Sequence, residues 1–305
     1  MAGSIIRYPF HGKDAMVQVC DFVRTFPLQN RHVLDISWRI SAPIINEGRD
    51  GAFWQDTQGR IVGFAAWQYY WAALDFFILP GPTEQEVEAA IFAWAEERMH
   101  ERDVERGYPL SYCVEFRDDD DTRRQLVEAH GFLLEADDSY VLFQHTLDTL
   151  AQIPALPDGF TLRPLRGVEE VAAYAELHRA AFESTSMTPE WRARTLQTPQ
   201  YRPELDLVIS APDGSLVGFC VGWFDADHQA GQIEPLGVHP HFHQYGFGRV
   251  LLLEMLRRFK EQGARRAFVE TNLSFIPALR AYEAVGFQQV HTIRRKGKWA
   301  NLHEQ

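Results

Sequence analysis

The sequence predicts a mixed α/β chain made of two tandem copies of one domain, each a central sheet flanked by helices. Three observations predict it. The first is self-similarity at one fixed offset: "QGRIVGFAAW" (58–67) resembles "DGSLVGFCVGW" (213–223), "CVEF" (113–116) resembles "FVET" (268–271), and "VEAHGF" (127–132) resembles "YEAVGF" (282–287). Gly63 and Gly218, Glu115 and Glu270, Gly131 and Gly286 are each 155 positions apart. A period of that size marks duplicated domains rather than a solenoid. The second is length, since 305 residues with 46% hydrophobic content hold two cores comfortably. The third is the alternation of strand and helix patterns along the second copy.

Residues 150–159, "LAQIPALPDG", hold two prolines and few charges, which makes 1–149 the first domain, 150–158 the linker and 159–305 the second. The second copy opens with a strand, "FTLRPL" (160–165). Helical patterns follow in "VEEVAAYAELHRAAF" (168–182) and "TPEWRARTL" (188–196). Strands "LDLVISA" (205–211) and "LVGFCVGWF" (216–224) flank the turn "PDGS" and read as a hairpin. Strand "GQIEPLGV" (231–238) carries Pro235, which has no N–H to give a ladder and so marks a bulge or splay. A helix over 249–262 follows, with Val250 to Leu253, Met255 and Leu256 on its apolar face. Strand "RRAFVET" (265–271) and helix "IPALRAYEAVG" (276–286) come next. "FQQVHTIRR" (287–295) and "KWANLHE" (298–304) close the chain as a hairpin, with "RRKGK" (294–298) as its solvated turn.

Between strand and helix lies "VHPHFHQYGFG", with Gly246 and Gly248 where a capping side chain would ordinarily stand. A helix N-terminus has unpaired N–H groups and partial positive charge, so it favours an anion. Glycines let a phosphate approach the backbone closely. By itself the pattern equally fits a plain strand–helix connection. A dinucleotide fold is disfavoured because the third glycine is missing.

His243, Gly246 and Gly248 resemble the R/Q-x-x-G-x-G/A pyrophosphate loop of the GNAT (Gcn5-related) N-acetyltransferase superfamily, with His in place of Arg or Gln. "IPALRAYEAVGF" resembles the family's A-x-x-x-Y-x-x-x-G-F segment, and the resemblance covers 159–305 in element order. It implies mostly antiparallel sheets and an acetyl-CoA co-substrate held by backbone from Gln244 through Tyr245, Gly246, Phe247, Gly248 and Arg249 to Val250. It also implies an acetyl-oxygen donor among the backbone N–H groups of Leu236, Gly237 and Val238. Phe275 stands where many members place a pantetheine-binding Asn, and Asn272 is a nearby substitute.

Acetyl transfer to an amine requires loss of a proton from an ammonium whose pKa is near ~10. Tyr282 stands at the family's general-acid tyrosine, and its repeat partner Val127 shows that the fold itself needs no hydroxyl there. Gln232 and Glu234 occupy the strand positions where members place the base, and only Glu234 can titrate. Glu270 competes with it, but the first copy keeps Glu115 there without the tyrosine, which favours Glu234. A base acting through water is a third option. The acceptor is expected near Phe182, Glu183, Trp191 and Trp223. "RRKGK" is open as a contact for the CoA 3′-phosphate.

In the first copy the glycines map to Ile91 and Ala93, and Glu84, Glu86 and Glu88 crowd the helix start. Acidic residues suit a helix N-terminus but repel pyrophosphate, so this copy reads as degenerate. A net charge of −12 disfavours nucleic acid or an anionic membrane as partner and leans to a small, cationic amine. Cys20, Cys113 and Cys220 have neither disulfide nor metal spacing. His239, His241 and His243 alternate, but Pro240 breaks their geometry and no metal is expected. With no apolar leader and no run of 18 apolar residues, a cytoplasmic monomer or homodimer is expected. The alternatives are a non-catalytic acyl-CoA sensor or scaffold and a protein N-terminal acetyltransferase.

Overall fold

The structure is a computed structural model describing residues 4–28, 33–45, 47–135 and 139–300. The chain parts into two compact units, 1–139 with 293–305, and 140–292.

In the first unit the sheet runs β1 (Ile5–His11), β2 (Glu47–Asp56), β3 (Ile61–Gln68), β4 (Ala73–Ile78) and β5 (Ser111–Arg117). Its last strand comes from the C-terminus: β13 (Gln288–Trp299) pairs antiparallel with β5 from Ile293 opposite Arg117 to Trp299 opposite Ser111. The short β6 (Leu134–Glu135) adds to β13. Helices α1 (Gly12–Arg24), α2 (Ile36–Ile40), α3 (Glu84–Arg106) and α4 (Asp121–Ala129) connect these strands. The core is aromatic: Trp54, Trp67, Phe92 and Tyr112 are buried with Ile91 and Met99 from α3 or against it. Glu84 and Glu86 fill the first turn of α3, and Glu88 pairs with His130 at 2.8 Å.

The second unit repeats that order. Its strands run β8 (Thr161–Pro164), β9 (Asp206–Ser210), β10 (Leu216–Asp225), β11 (Ala230–Val238), β12 (Arg266–Asn272) and then β7 (Tyr140–His145). In both units one step is parallel, β4 to β5 and β11 to β12, and the others named here are antiparallel. Helices α5 (Val171–Phe182) and α6 (Pro189–Thr195) precede β9, while α7 (Phe247–Glu261) links β11 to β12 and α8 (Ile276–Glu283) follows. Period-two alternation on β10 separates the faces. Cys220 joins the cluster of Leu251, Met255 and Phe259 from α7, whereas Phe219 lies 4.9 Å from the Tyr174 ring of α5.

The repeated glycine has a packing cause. A Cβ on Gly63 would lie 2.3 Å from Val87 of α3, and one on Gly218 would lie 3.1 Å from Leu251 of α7. In each unit the long helix crosses its sheet where a side chain is absent.

Two strands cross the expected division at 150–158. β7, from the first sequence half, completes the second unit's sheet, and residues 293–299 complete the first's. The expected closing hairpin is absent among the described residues, and 301–304 of it lie outside them. "RRKGK" is strand interior. Three of its four charges are paired: Arg295 sits 3.3 Å from Glu115, Lys296 2.5 Å from Glu135, and Lys298 pairs with Glu96. No helix among the described residues is long and apolar enough to cross a membrane.

Candidate functional site

The site begins where two parallel strands stop pairing. β11 and β12 run in register from Ala230 opposite Arg266 to Ile233 opposite Val269, and no further. Glu234 and Glu270 are the next residues on the two strands, so both candidate bases stand at the fork, each half-buried. Across β11, the register with β10 slips between Gly222 opposite Ile233 and Cys220 opposite Leu236. β11 therefore holds one extra residue at Glu234–Pro235, which is the bulge that a proline inside a strand demands.

Beyond the bulge, His239 donates its N–H to Val217 O at 2.9 Å, toward β10. Alternation along an extended strand then turns the N–H groups of Leu236 and Val238 the other way, toward the open side of the fork. That of Gly237 points at β10.

The connection to α7 is a 3₁₀ turn over Pro240–Tyr245, and α7 starts at Phe247, two residues ahead of the expected 249. Gly246 has φ +74°, a left-handed conformation that a side chain would strain. A Cβ built on Gly246 meets nothing within 4 Å, and one on Gly248 only Val238 at 4.0 Å, so the approach is open. Arg249 and Val250 N–H groups bond back to Gly246 O at 3.1 and 3.2 Å. Those of Phe247 and Gly248 precede any helical acceptor, and no acidic side chain occupies the first turn. A phosphate fits this end, unlike the start of α3.

Aromatic rings fix the turn. Phe247 lies 5.0 Å from Phe160 and 5.3 Å from Tyr245, centre to centre, with Phe242 beside them. His243 has a ring nitrogen, Nε2, 3.1 Å from Val238 O, and His239 Nδ1 accepts the His241 N–H at 3.2 Å. Two of the three histidines thus shape the backbone. Arg249 reaches Ala284 O at 2.8 Å and ties the start of α7 to the end of α8.

Tyr282 is 6% exposed, with Phe143 of β7 5.9 Å away and Phe287 6.0 Å away. Burial pushes its phenol pKa well up, with the Glu234 carboxylate and Cys220 adding to the shift. The hydroxyl therefore stays protonated at neutral pH. Asn272 Oδ1 accepts from the N–H and hydroxyl of Ser274 at 2.9 and 2.6 Å, shaping the loop before α8. Phe275, next to that helix, is 54% exposed.

Two expected acceptor contacts are displaced. Trp191 and Trp223 are 2% and 1% exposed, inside the core, whereas Phe182 and Glu183 remain at the surface. Residues the sequence reading missed lie beneath them. Arg192, fully buried, pairs with Asp206 and stacks 3.7 Å over the Tyr174 ring, and the Tyr201 hydroxyl donates to Asp206 at 2.7 Å. This cluster bolts α6 to β9. Nothing in "TPEWRARTL" distinguishes the buried Arg192 from the half-buried Arg194. Phe143 was missed because its strand was assigned to the other copy.

Residues 171–287 match the acetyltransferase (GNAT) family. The fold extends to nearly the whole chain in two solved structures. One is a tandem GNAT protein from the clavulanic acid biosynthesis pathway (17% identity, TM-score 0.66, covering 98% of this chain and 100% of that one). The other is a GCN5-related N-acetyltransferase from Sphaerobacter thermophilus (19%, 0.60, 98% and 97%). In sequence the chain is similar to mycothiol acetyltransferases. That of Thermomonospora curvata is 30% identical over 135 residues, 43% of this chain and 45% of that protein. That of Salinispora tropica is 31% identical over 144 residues, 44% and 46%. The chain spans about half the length of these curated relatives.

Proposed function

We propose that the second unit is an acetyl-CoA-dependent N-acetyltransferase acting on a primary amine of a small molecule in the cytoplasm. The observation that carries this reading is the coincidence, in one unit, of an open glycine turn with a forked strand pair. The turn supplies N–H groups and a helix dipole to a pyrophosphate. The fork opens beside Leu236 and Val238, whose N–H groups face the position an acetyl oxygen would take. Bound there, acetyl-CoA supplies an activated acetyl group.

The chain's own residues do the rest. Glu234 takes the proton that the ammonium must lose. Glu270, across the fork, is the second candidate. Its repeat partner Glu115 is engaged with Arg295 in the first unit, which supports a structural role at that position. Tyr282, held protonated by burial, donates to the departing sulfur. α3 follows the fourth strand of the first unit as α7 follows that of the second, but it carries Glu84 and Glu86 in its first turn, so the first unit supports the fold rather than binding CoA.

The acidic balance of the chain favours a cationic acceptor. The name borne by the relatives brings a mycothiol-related amine into the set of acceptors to try. Thiol release from acetyl-CoA, measured against that amine, polyamines, aminoglycosides and peptides with free N-termini, tests the reading. CoA binding with no turnover on any of them would leave a sensor or scaffold, and turnover on the peptides alone a protein N-terminal acetyltransferase.

A further inference from the structure

We propose that Trp223 is a positioning residue for Glu234. The inference rests on Glu234 acting as the base. Its ground is a bond between a side chain and the backbone at the place where β11 has lost its neighbours.

Glu234 follows the last residue paired with β12, and it is part of the bulge opposite Val221 of β10. Pro235, the next residue, has no N–H to donate. Glu234 falls outside the paired register with both β10 and β12. The indole N–H of Trp223 donates to Glu234 O at 2.7 Å. Trp223 sits on β10 opposite Gln232 and is 1% exposed, so its ring is clamped by the core. A buried indole N–H needs an acceptor, and a bulged carbonyl needs a donor.

The bond has a directional consequence. Holding the Glu234 carbonyl fixes the peptide plane after its Cα and so the direction in which its side chain leaves the strand. A base must meet its proton at hydrogen-bonding distance. Loosening the bulge would spread the carboxylate over several positions while leaving the glycine turn, on the far side of Val238, untouched. Trp223 therefore acts on turnover and not on cofactor affinity.

The experiment replaces Trp223 by Phe and also by benzothienylalanine, which keeps the bicyclic shape and lacks the N–H. The isostere covers the case in which the smaller ring unfolds the protein. Turnover is measured with the fastest amine of the panel, in the native chain and in a Glu234→Gln background. The expected result is a loss of kcat of about tenfold, with KM for acetyl-CoA unchanged, and no further loss in the Glu234→Gln background. A second readout needs no turnover: the ¹³C carboxyl signal of Glu234, assigned by its disappearance in Glu234→Gln, is titrated in both proteins. Its midpoint is expected to move when the N–H is removed. Losses that add in the double variant, or an unmoved midpoint, overturn the proposal and leave Glu234 as the base. A Glu234→Gln variant with native kcat overturns both together.

Discussion

The ring of Phe143 lies 5.9 Å from the ring of Tyr282, and the two belong to opposite halves of the sequence. Phe143 comes from β7, ahead of the linker, and is 2% exposed. Phe143→Ala should cost ~3–5 kcal/mol in chemical denaturation, as for other buried aromatics. It should also lower kcat, since the Tyr282 ring would lose its wall. A denaturation midpoint equal to that of the native protein would show that β7 does not support the site.

Tyr282→Phe removes the proposed acid and keeps the ring. Turnover should fall by about 10²–10⁴ while the affinity for CoA stays the same. Because burial and the Glu234 charge raise the phenol pKa, ionisation of Tyr282 should not limit activity on the alkaline side below pH 10. A Phe variant with native kcat would remove Tyr282 from the chemistry.

Gly248→Ala separates binding from stability. The residue is helical and its Cβ would meet only Val238 at 4.0 Å, so the helix gains ~0.5–1 kcal/mol. The same methyl stands where, on the proposed function, the pyrophosphate approaches. The melting temperature should rise while the Kd for CoA increases at least about tenfold, ~1.4 kcal/mol. Unchanged CoA affinity would place the phosphate elsewhere.

His178, on the buried face of α5 and stacked on Phe219, has its pKa lowered to about 4, chiefly by burial and further by Arg192 and Arg179. Between the ordinary histidine value near ~6.5 and about 4, the unfolded chain takes up a proton that the folded one refuses. Stability should therefore fall as pH falls through that window, by up to ~3 kcal/mol. Replacing His178 with Gln should flatten this slope in denaturation curves recorded from pH 7 to 4.5. A slope that persists unaltered would assign it to other groups.

The glycine turn and the tyrosine helix were legible because their spacing is short-range: "HQYGFG" and "AYEAVGF" each lie within one turn and its helix. Pro235 announced the bulge, since a missing N–H has only a few places in a sheet. Pairing partners were not legible. β7 and the end of β13 hold equivalent places in the repeat, so each fits either sheet, and local pattern does not choose. "RRKGK" looked like a solvated turn because its countercharges, Glu96, Glu115, Glu128 and Glu135, lie far away in sequence. Trp223 looked like a ligand-facing ring, and its partner, a carbonyl eleven residues on, becomes visible only once the bulge is drawn.

The exchange of β7 and β13 gives the duplication a ratchet. In an ordinary tandem pair either half can be trimmed away, and a half without chemistry is free to decay until it is lost. Here a cut at residues 150–158 strands each terminal segment with the wrong half, leaving β12 and β5 with bare edges and the Tyr282 pocket open on one side. The first half of the sequence lends the strand that closes the second unit's sheet. Residues 140–145 are thus tied to the second unit although they precede the linker, and neither half of the sequence carries a whole sheet.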